Sequence, residues 1–278
     1  MSIELGIPAA VYHDPAKGLS NSQISDLAES PFHFWSRHLA PSRPQRVATA
    51  AMNAGTLLHS LVLEPDTMTR YAVTPDDFDG RTKAGKDWKA NAEAQGLSVV
   101  TGDMIATAEA QRAALMANPD IERILARGAA EASVFWTDEA TGVPCRARPD
   151  WMTREGKRVT VLDLKTTSDA SPAGFARSVA TFGYHRQRAH YTAGIEAHGL
   201  KVDAFIFAAV SSSYPFVAMA YLLDEEAEAQ GEEEVSELIA LYAQCMRSGH
   251  WPAYGEGVTL LELPKWAKRS QEVTVSYA

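Results

Sequence analysis

The sequence predicts an α/β fold: a central mixed β-sheet flanked by helices, with an additional N-terminal helical region. Three observations lead there. Up to residue 125 apolar side chains recur at helical spacing between capping residues and prolines. From Glu131 the pattern changes to short runs rich in Val, Phe and Trp with alternating polar positions. After Thr166 helical and strand-like segments alternate, the order expected of helices packed on a sheet.

Each element has a local cause. Ser20-Asn21-Ser22-Gln23 has the S-x-x-Q form of a capping box ahead of Ile24 and Leu27. Ser30-Pro31 starts a second helix, with proline at its first position, carrying Phe32, His33, Phe34, Trp35 and Arg37. Pro41 to Arg46 reads as a loop, and a helix over Ala50 to Leu63 ends before Glu64-Pro65. Residues 74–90 are polar and glycine-bearing, which predicts a mobile loop; Asp103 to Asn118 predicts a helix that stops at Pro119. Three strands are expected over Glu131–Thr137, Val143–Met152 and Arg158–Thr166, with Asp138 to Gly142 as the first turn. Helices over Pro172–Thr181 and His185–His198 follow, then a hairpin of Val202–Val210 and Phe216–Leu223. Asp224 caps a long acidic helix ending near Gly249. The whole reads as one domain over 1–278: a mainly helical part (1–125), an α/β core (126–223) and a C-terminal helix and tail (224–278).

Bulk composition narrows the function classes. A chain of 278 residues, 46% apolar and 22% charged, has the balance of a soluble protein with a sizeable core. No run approaches the roughly 20 apolar residues that cross a bilayer, and the N-terminus lacks a basic segment leading into an apolar one. Cys145 and Cys245 form neither a CxxC cluster nor a disulfide framework, which fits a reducing cytoplasm. A formal charge of −9 argues against a protein that coats nucleic acid. It leaves room for an enzyme that gathers carboxylates around divalent cations.

The chemistry-bearing stretch is Arg148-Pro149-Asp150 followed by Val161-Leu162-Asp163-Leu164-Lys165. Alternate residues of a strand share a face, so Asp163 and Lys165 point one way and Leu164 the other. Neighbouring strands lie about 4.8 Å apart, so Asp150 and Asp163 can share one cation. A lysine beside that cation can orient an attacking water and stabilise developing negative charge. A lone D-x-K usually marks a solvated edge. Here Val159, Val161, Leu162 and Leu164 frame a buried strand, where unpaired Asp and Lys are costly unless they serve a site.

Pro149-Asp150 with Asp163-Leu164-Lys165 resembles the motif of the PD-(D/E)xK nucleases, which implies a restriction-endonuclease-like core. Gly55-Thr56-Leu57-Leu58-His59 resembles the G-x-x-x-H helix of the RecB- and RecE-like branch, and Gln187 with Tyr191 its Q-x-x-x-Y helix. Their i, i+4 spacing places Gln187 and Tyr191 on one helix face. Glu131 resembles an acidic residue that completes the site in such enzymes. Leu19 to Ser22, Ser30-Pro31, the run from Gly55 to Pro65, and Arg81 to Lys86 look like the nuclease domain of RecE-type exodeoxyribonucleases, over roughly residues 10–250.

The resemblance implies a set of expectations. Lys165, Asp163, Asp150, Glu131, Gln187 and Tyr191 form the catalytic set; His59, Asp150, Asp163 and the Leu164 carbonyl hold metal, with Glu131 a direct or indirect ligand. The metal is Mg2+, two ions per site, with Mn2+ as a substitute because the histidine suits it better. The activity is ATP-independent degradation of one strand of linear double-stranded DNA, 5′ to 3′, leaving 3′ tails for recombination by strand annealing. The partners are other copies of the chain in a ring (a tetramer), a single-strand-annealing protein of the RecT type, and no membrane. The setting is the bacterial cytoplasm, with a bacterial or phage gene. Two other readings carry marks of their own. A RecB-like subunit of a larger repair machine often holds four cysteines for an iron–sulfur cluster, and this chain has two. An inactive DNA-binding module on the same fold would lack Asp163 or Lys165, and both are present.

Gly80 to Lys86 also matches G-x-x-x-x-G-K, but Asp87 stands where a phosphate loop needs Ser or Thr and no buried strand precedes it. Arg81, Lys83 and Lys86 read instead as a basic loop gripping DNA phosphates, or as an exposed loop without a role. Phe32, Phe34 and Trp35 with Arg37, Arg43 and Arg46 read either as core aromatics beside solvated arginines or as the lining of a DNA channel.

Overall fold

The computed structural model describes residues 2–43, 50–255 and 257–264; Arg46 and the last part of the expected tail lie outside the described residues. A short strand β1 (Ser2–Glu4) and a one-turn helix α1 (Ala9–Tyr12), neither predicted, precede α2 (Asn21–Glu29). At the α2 start Gln23 Oε1 accepts from Ser20 N–H at 2.9 Å, the returning half of the expected capping box. In α3 (Pro31–His38) Ser30 Oγ accepts from His33 N–H at 3.2 Å, with Pro31 at the first position. Then comes α4 (Ala50–Leu63), spanning the predicted residues.

The expected loop over 74–90 ends at Thr82, and from Lys83 the chain is helical instead. Strand β2 (Tyr71–Val73), helix α5 (Lys83–Ala94) and strand β3 (Ser98–Val100) make a small β-α-β unit with parallel strands. Thr82 Oγ1 caps α5 by accepting from Gly85 N–H at 3.0 Å, and Trp88 packs on Phe78 at 5.4 Å. The polar composition is that of a helix with one wet face. After α6 (Gly102–Met116), Pro119 opens a further helix, α7 (Pro119–Leu125), because Asn118 Oδ1 caps the N–H groups of Asp120 and Ile121 at 3.0 and 3.3 Å.

The strands follow: β4 (Ala129–Ala130), β5 (Ser133–Thr137), β6 (Pro144–Ala147), β7 (Trp151–Glu155) and β8 (Arg158–Thr167). Then come α8 (Pro172–Phe182), α9 (Tyr184–Glu196), β9 (Lys201–Ser211), β10 (Ala218–Tyr221) and α10 (Glu225–Ser248), capped by Asp224. The main sheet has the order β10-β9-β8-β7-β4, with β8 and β9 parallel and the other pairs antiparallel, so it is the predicted mixed sheet. A second, antiparallel sheet has the order β1-β5-β6.

One expected strand, Val143–Met152, is two. The chain leaves the small sheet at Ala147, opposite Val134, and enters the main sheet at Trp151, opposite Leu162. Pro149, which has no N–H for a ladder, sits in the break. Glu131 likewise does not open a strand; it lies between β4 and β5 with φ +54°.

Strand β8 is covered on both faces, as its near-continuous apolar run requires. Val159 and Val161 join the core made with Ile24, Leu27, Ile195 and Ile239, from α2, α9 and α10. Leu162 and Leu164 face the other way, against Leu58, Leu115 and Ile121 of α4, α6 and α7. Each such buried side chain contributes about 1.5–3 kcal/mol relative to exposure. Among the described residues no helix is long and apolar enough to cross a membrane.

Candidate active site

The strand period puts Asp163 and Lys165 on the α9 face of β8. Asp163 is fully buried, and its Oδ1 is ion-paired with Lys165 Nζ. Gln187, buried on α9, ties the pair together: its Nε2 donates to Asp163 Oδ2 at 2.7 Å, and its Oε1 accepts from Lys165 Nζ at 2.8 Å. The Lys165 ammonium also lies 4.5 Å from the centre of the Tyr184 ring. Tyr191, one turn beyond Gln187 on α9, is buried on the same helix face.

Two breaks in the sheets bring the other acids in. Asp150, in the crossing between β6 and β7, accepts from Leu164 N–H at 2.7 Å through Oδ2. Glu131 donates its backbone N–H to the Asp150 carbonyl at 3.1 Å from a left-handed conformation that costs a non-glycine residue on the order of 1–3 kcal/mol. His59 arrives from α4, which is anchored by Leu58 against Leu162 and Leu164. Its Nδ1 stands 3.6 Å from Asp150 Oδ2 and its Nε2 3.1 Å from the Leu164 carbonyl oxygen. Ligand atoms of His59, Glu131 and Asp150 all lie within 4.8 Å of one another.

Negative charge is in excess here. Burial, then the Asp150 charge, pushes the Glu131 carboxyl up to about 7 against the pull of Arg148 and His59. Burial and Asp150 likewise raise Asp163, opposed by Lys165. Burial works against the Lys165 ammonium, but Asp163 and Asp150 outweigh it and hold its pKa above the ordinary lysine value. Two clustered carboxylates and an imidazole, with the Leu164 carbonyl beside the imidazole, fit a hard divalent cation, which would relieve that repulsion. The imidazole makes Mn2+ as suitable as Mg2+.

The family model described as "PDDEXK-like domain of unknown function (DUF3799)" matches residues 20–264. The chain belongs to this family. A crystal structure of a protein named "Putative exonuclease", from Eubacterium rectale, superposes with a TM-score of 0.62 at 14% identity, over 94% of this chain and 96% of that one. At that identity the likeness concerns the fold alone. The structure of SSO0001 aligns at a TM-score of 0.28 and 14% identity, over 67% of this chain and 86% of that one, a score too low to bear on the fold. No curated protein matches the sequence.

In this PDDEXK-like chain the structure brings together His59, Glu131, Asp150, Asp163, the Leu164 carbonyl, Lys165, Gln187 and Tyr191, although Asp163 sits beside the His59–Glu131–Asp150 group rather than within it. Arg81, Lys83 and Lys86 stand apart on the β-α-β unit, where Arg81 is paired with Asp79 at 3.0 Å. Phe34 is a core aromatic stacked on Trp251, whereas Phe32 is exposed and stacks on Trp35. Sequence reasoning missed Tyr184, whose signal was its place one turn before Gln187. It also missed Tyr12, whose ring centre lies 4.0 Å from the Arg148 guanidinium carbon, and Ser133, whose Oγ accepts from Arg148 Nε at 2.9 Å; no local pattern marks either.

Proposed function

We propose that the chain is a Mg2+-dependent, ATP-independent exodeoxyribonuclease of the RecE type. On this reading it degrades one strand of linear double-stranded DNA from 5′ ends and leaves 3′ tails for strand annealing. The observation that carries it is the convergence of His59, Glu131, Asp150 and the Leu164 carbonyl beside the Asp163–Lys165–Gln187 network. The name of the Eubacterium rectale neighbour supports the exonuclease reading.

In this proposal His59, Glu131, Asp150, Asp163 and the Leu164 carbonyl hold the cation or a pair of cations. When bound, the cation supplies Lewis-acid chemistry: charge neutralisation at a phosphate and acidification of water. Lys165 presents its ammonium to the water and to charge developing on the phosphate. Gln187 holds Lys165 and Asp163 in fixed relation, and Tyr191 packs one turn beyond it on the same helix face. Arg81, Lys83 and Lys86 are proposed to hold DNA backbone, Arg81 exchanging its Asp79 partner for phosphate. A homo-oligomeric ring would keep the enzyme on its substrate, and a RecT-type protein would take up the product strand.

The deciding experiment incubates linear duplexes, labelled separately at the 5′ and 3′ ends, and closed circles with Mg2+, with and without EDTA. Progressive loss of one strand of the linear form, abolished by EDTA and with circles intact, is the expected result. Cleavage of circles makes the enzyme an endonuclease, and inertness on all of them removes the nuclease reading.

A further inference from the structure

Arg148 precedes Pro149-Asp150, and its guanidinium is held at two of its nitrogens and over one ring face. Nε donates to Ser133 Oγ at 2.9 Å, and Nη2 donates to the Ile7 carbonyl at 3.1 Å. The guanidinium carbon lies 4.0 Å from the centre of the Tyr12 ring, whose position Arg146 also holds at 5.4 Å. Ser133 opens β5 and is wholly buried; Ile7 and Tyr12 belong to the N-terminal segment that β1 ties to the same strand. The Arg148 side chain keeps 12% of its exposure.

From this clamp, Arg148 Nε faces Glu131 Oε2 at 3.8 Å, an ion pair too long for a hydrogen bond. The separation has a consequence. A bidentate arginine would occupy the carboxylate lone pairs and compete with a cation for them. Here the Nε–H, the donor on the nitrogen nearest Glu131, is given to Ser133, so the guanidinium attracts the carboxylate by charge and leaves those lone pairs open. Glu131 needs such restraint, because its strained backbone alone does not aim its two side-chain methylenes.

We propose that Arg148 is a positioning residue: locked by Ser133, Ile7 and Tyr12, its charge holds the Glu131 carboxylate toward His59 and Asp150 with its lone pairs free for a cation. The inference rests on the cation site of the proposed function, and it makes the N-terminal segment part of that site. The competing role is a staple that only fastens residues 7–12 to β5. A staple would lower stability and would change cation binding independently of Glu131.

A double-mutant cycle separates the two. Mn2+ binding to the full chain, without DNA, is measured by titration calorimetry for wild type, Arg148→Gln, Glu131→Gln and the double variant, with melting curves alongside. The expected result is about a tenfold loss of affinity for Arg148→Gln, the scale typical of a group that orients a ligand. In the Glu131→Gln background the same change should have no further effect, and Arg148→Lys should recover part of the loss. Wild-type affinity in Arg148→Gln, or an equal loss in both backgrounds, overturns the inference and leaves the nuclease reading standing. Should Arg148→Gln fail to fold, the same cycle with Arg148→Lys decides. Absence of Mn2+ binding by wild type overturns both the cation site and this inference.

Discussion

At the scale of single residues, the Asp163–Lys165 pair is both chemistry and structure. Removing the carboxylate leaves an ammonium in a buried place without its partner, a loss of about 3–5 kcal/mol. Asp163→Asn keeps the volume and the contact with Gln187, so it should melt above Asp163→Ala while both lack cleavage. Wild-type cleavage by Asp163→Asn would remove that residue from the site. Lys165→Ala should slow cleavage by about 10²–10³-fold, the effect of losing a donor aimed at developing charge, read from single-turnover kinetics. Tyr191→Phe deletes the hydroxyl one turn beyond Gln187 on α9; stability should change by at most about 1 kcal/mol. Its cleavage rate should fall only several-fold, and an unchanged rate would reduce Tyr191 to a packing role. Much at this scale was legible in the sequence, because Asp163 and Lys165 lie on one strand and Gln187 and Tyr191 on one helix. Glu131 acquires its place from a left-handed turn and a bond to the Asp150 backbone, neither of which has a local signature.

At the scale of elements, α9 is the beam on which the site is hung, and its other contacts are exacting. Gly231 of α10 sits where a Cβ would come within 2.4 Å of the His185 carbonyl at the start of α9. Gly231→Ala should push the two helices apart at a cost of about 1–3 kcal/mol, measurable by chemical denaturation. Further along α9, His190 is wholly buried against Trp136 and bonds the Arg146 carbonyl at 3.0 Å. Burial pulls its pKa down from 6.5 to about 4. Above the upper value both folded and unfolded chains hold a neutral imidazole. As pH falls through the window the unfolded chain takes up a proton that the folded chain refuses, so stability drops, by about 3 kcal/mol in full. Urea midpoints measured from neutral pH down to pH 4 should fall more steeply for wild type than for His190→Gln; parallel curves would contradict it. Element boundaries were less legible than element types. Pro119 and Pro149 each mark a break, but a proline does not say whether a helix resumes after it or a strand changes sheets.

At the scale of the whole molecule, the site is a place where folding gathers like charges, so a bound cation should stabilise the fold. At a concentration a hundred times its dissociation constant, one ion adds about 2.7 kcal/mol. That corresponds to a rise of about 5–10 °C in Tm for a chain of this size. Calorimetric scans with Mg2+ or Mn2+, reversed by EDTA and diminished in Asp150→Asn, check this; identical scans with and without ion would count against the cation site. The amino-acid order by itself determined the kind of fold and the buried strand with its Asp-x-Lys, because periods of two and of 3.6 residues are local. Tertiary structure alone decided that α4 carries His59 to the Leu164 carbonyl, that the chain breaks at Pro149 to deliver Asp150, and that the N-terminal segment reaches Arg148. Those meetings depend on which apolar faces pack together, and no spacing along the chain encodes that.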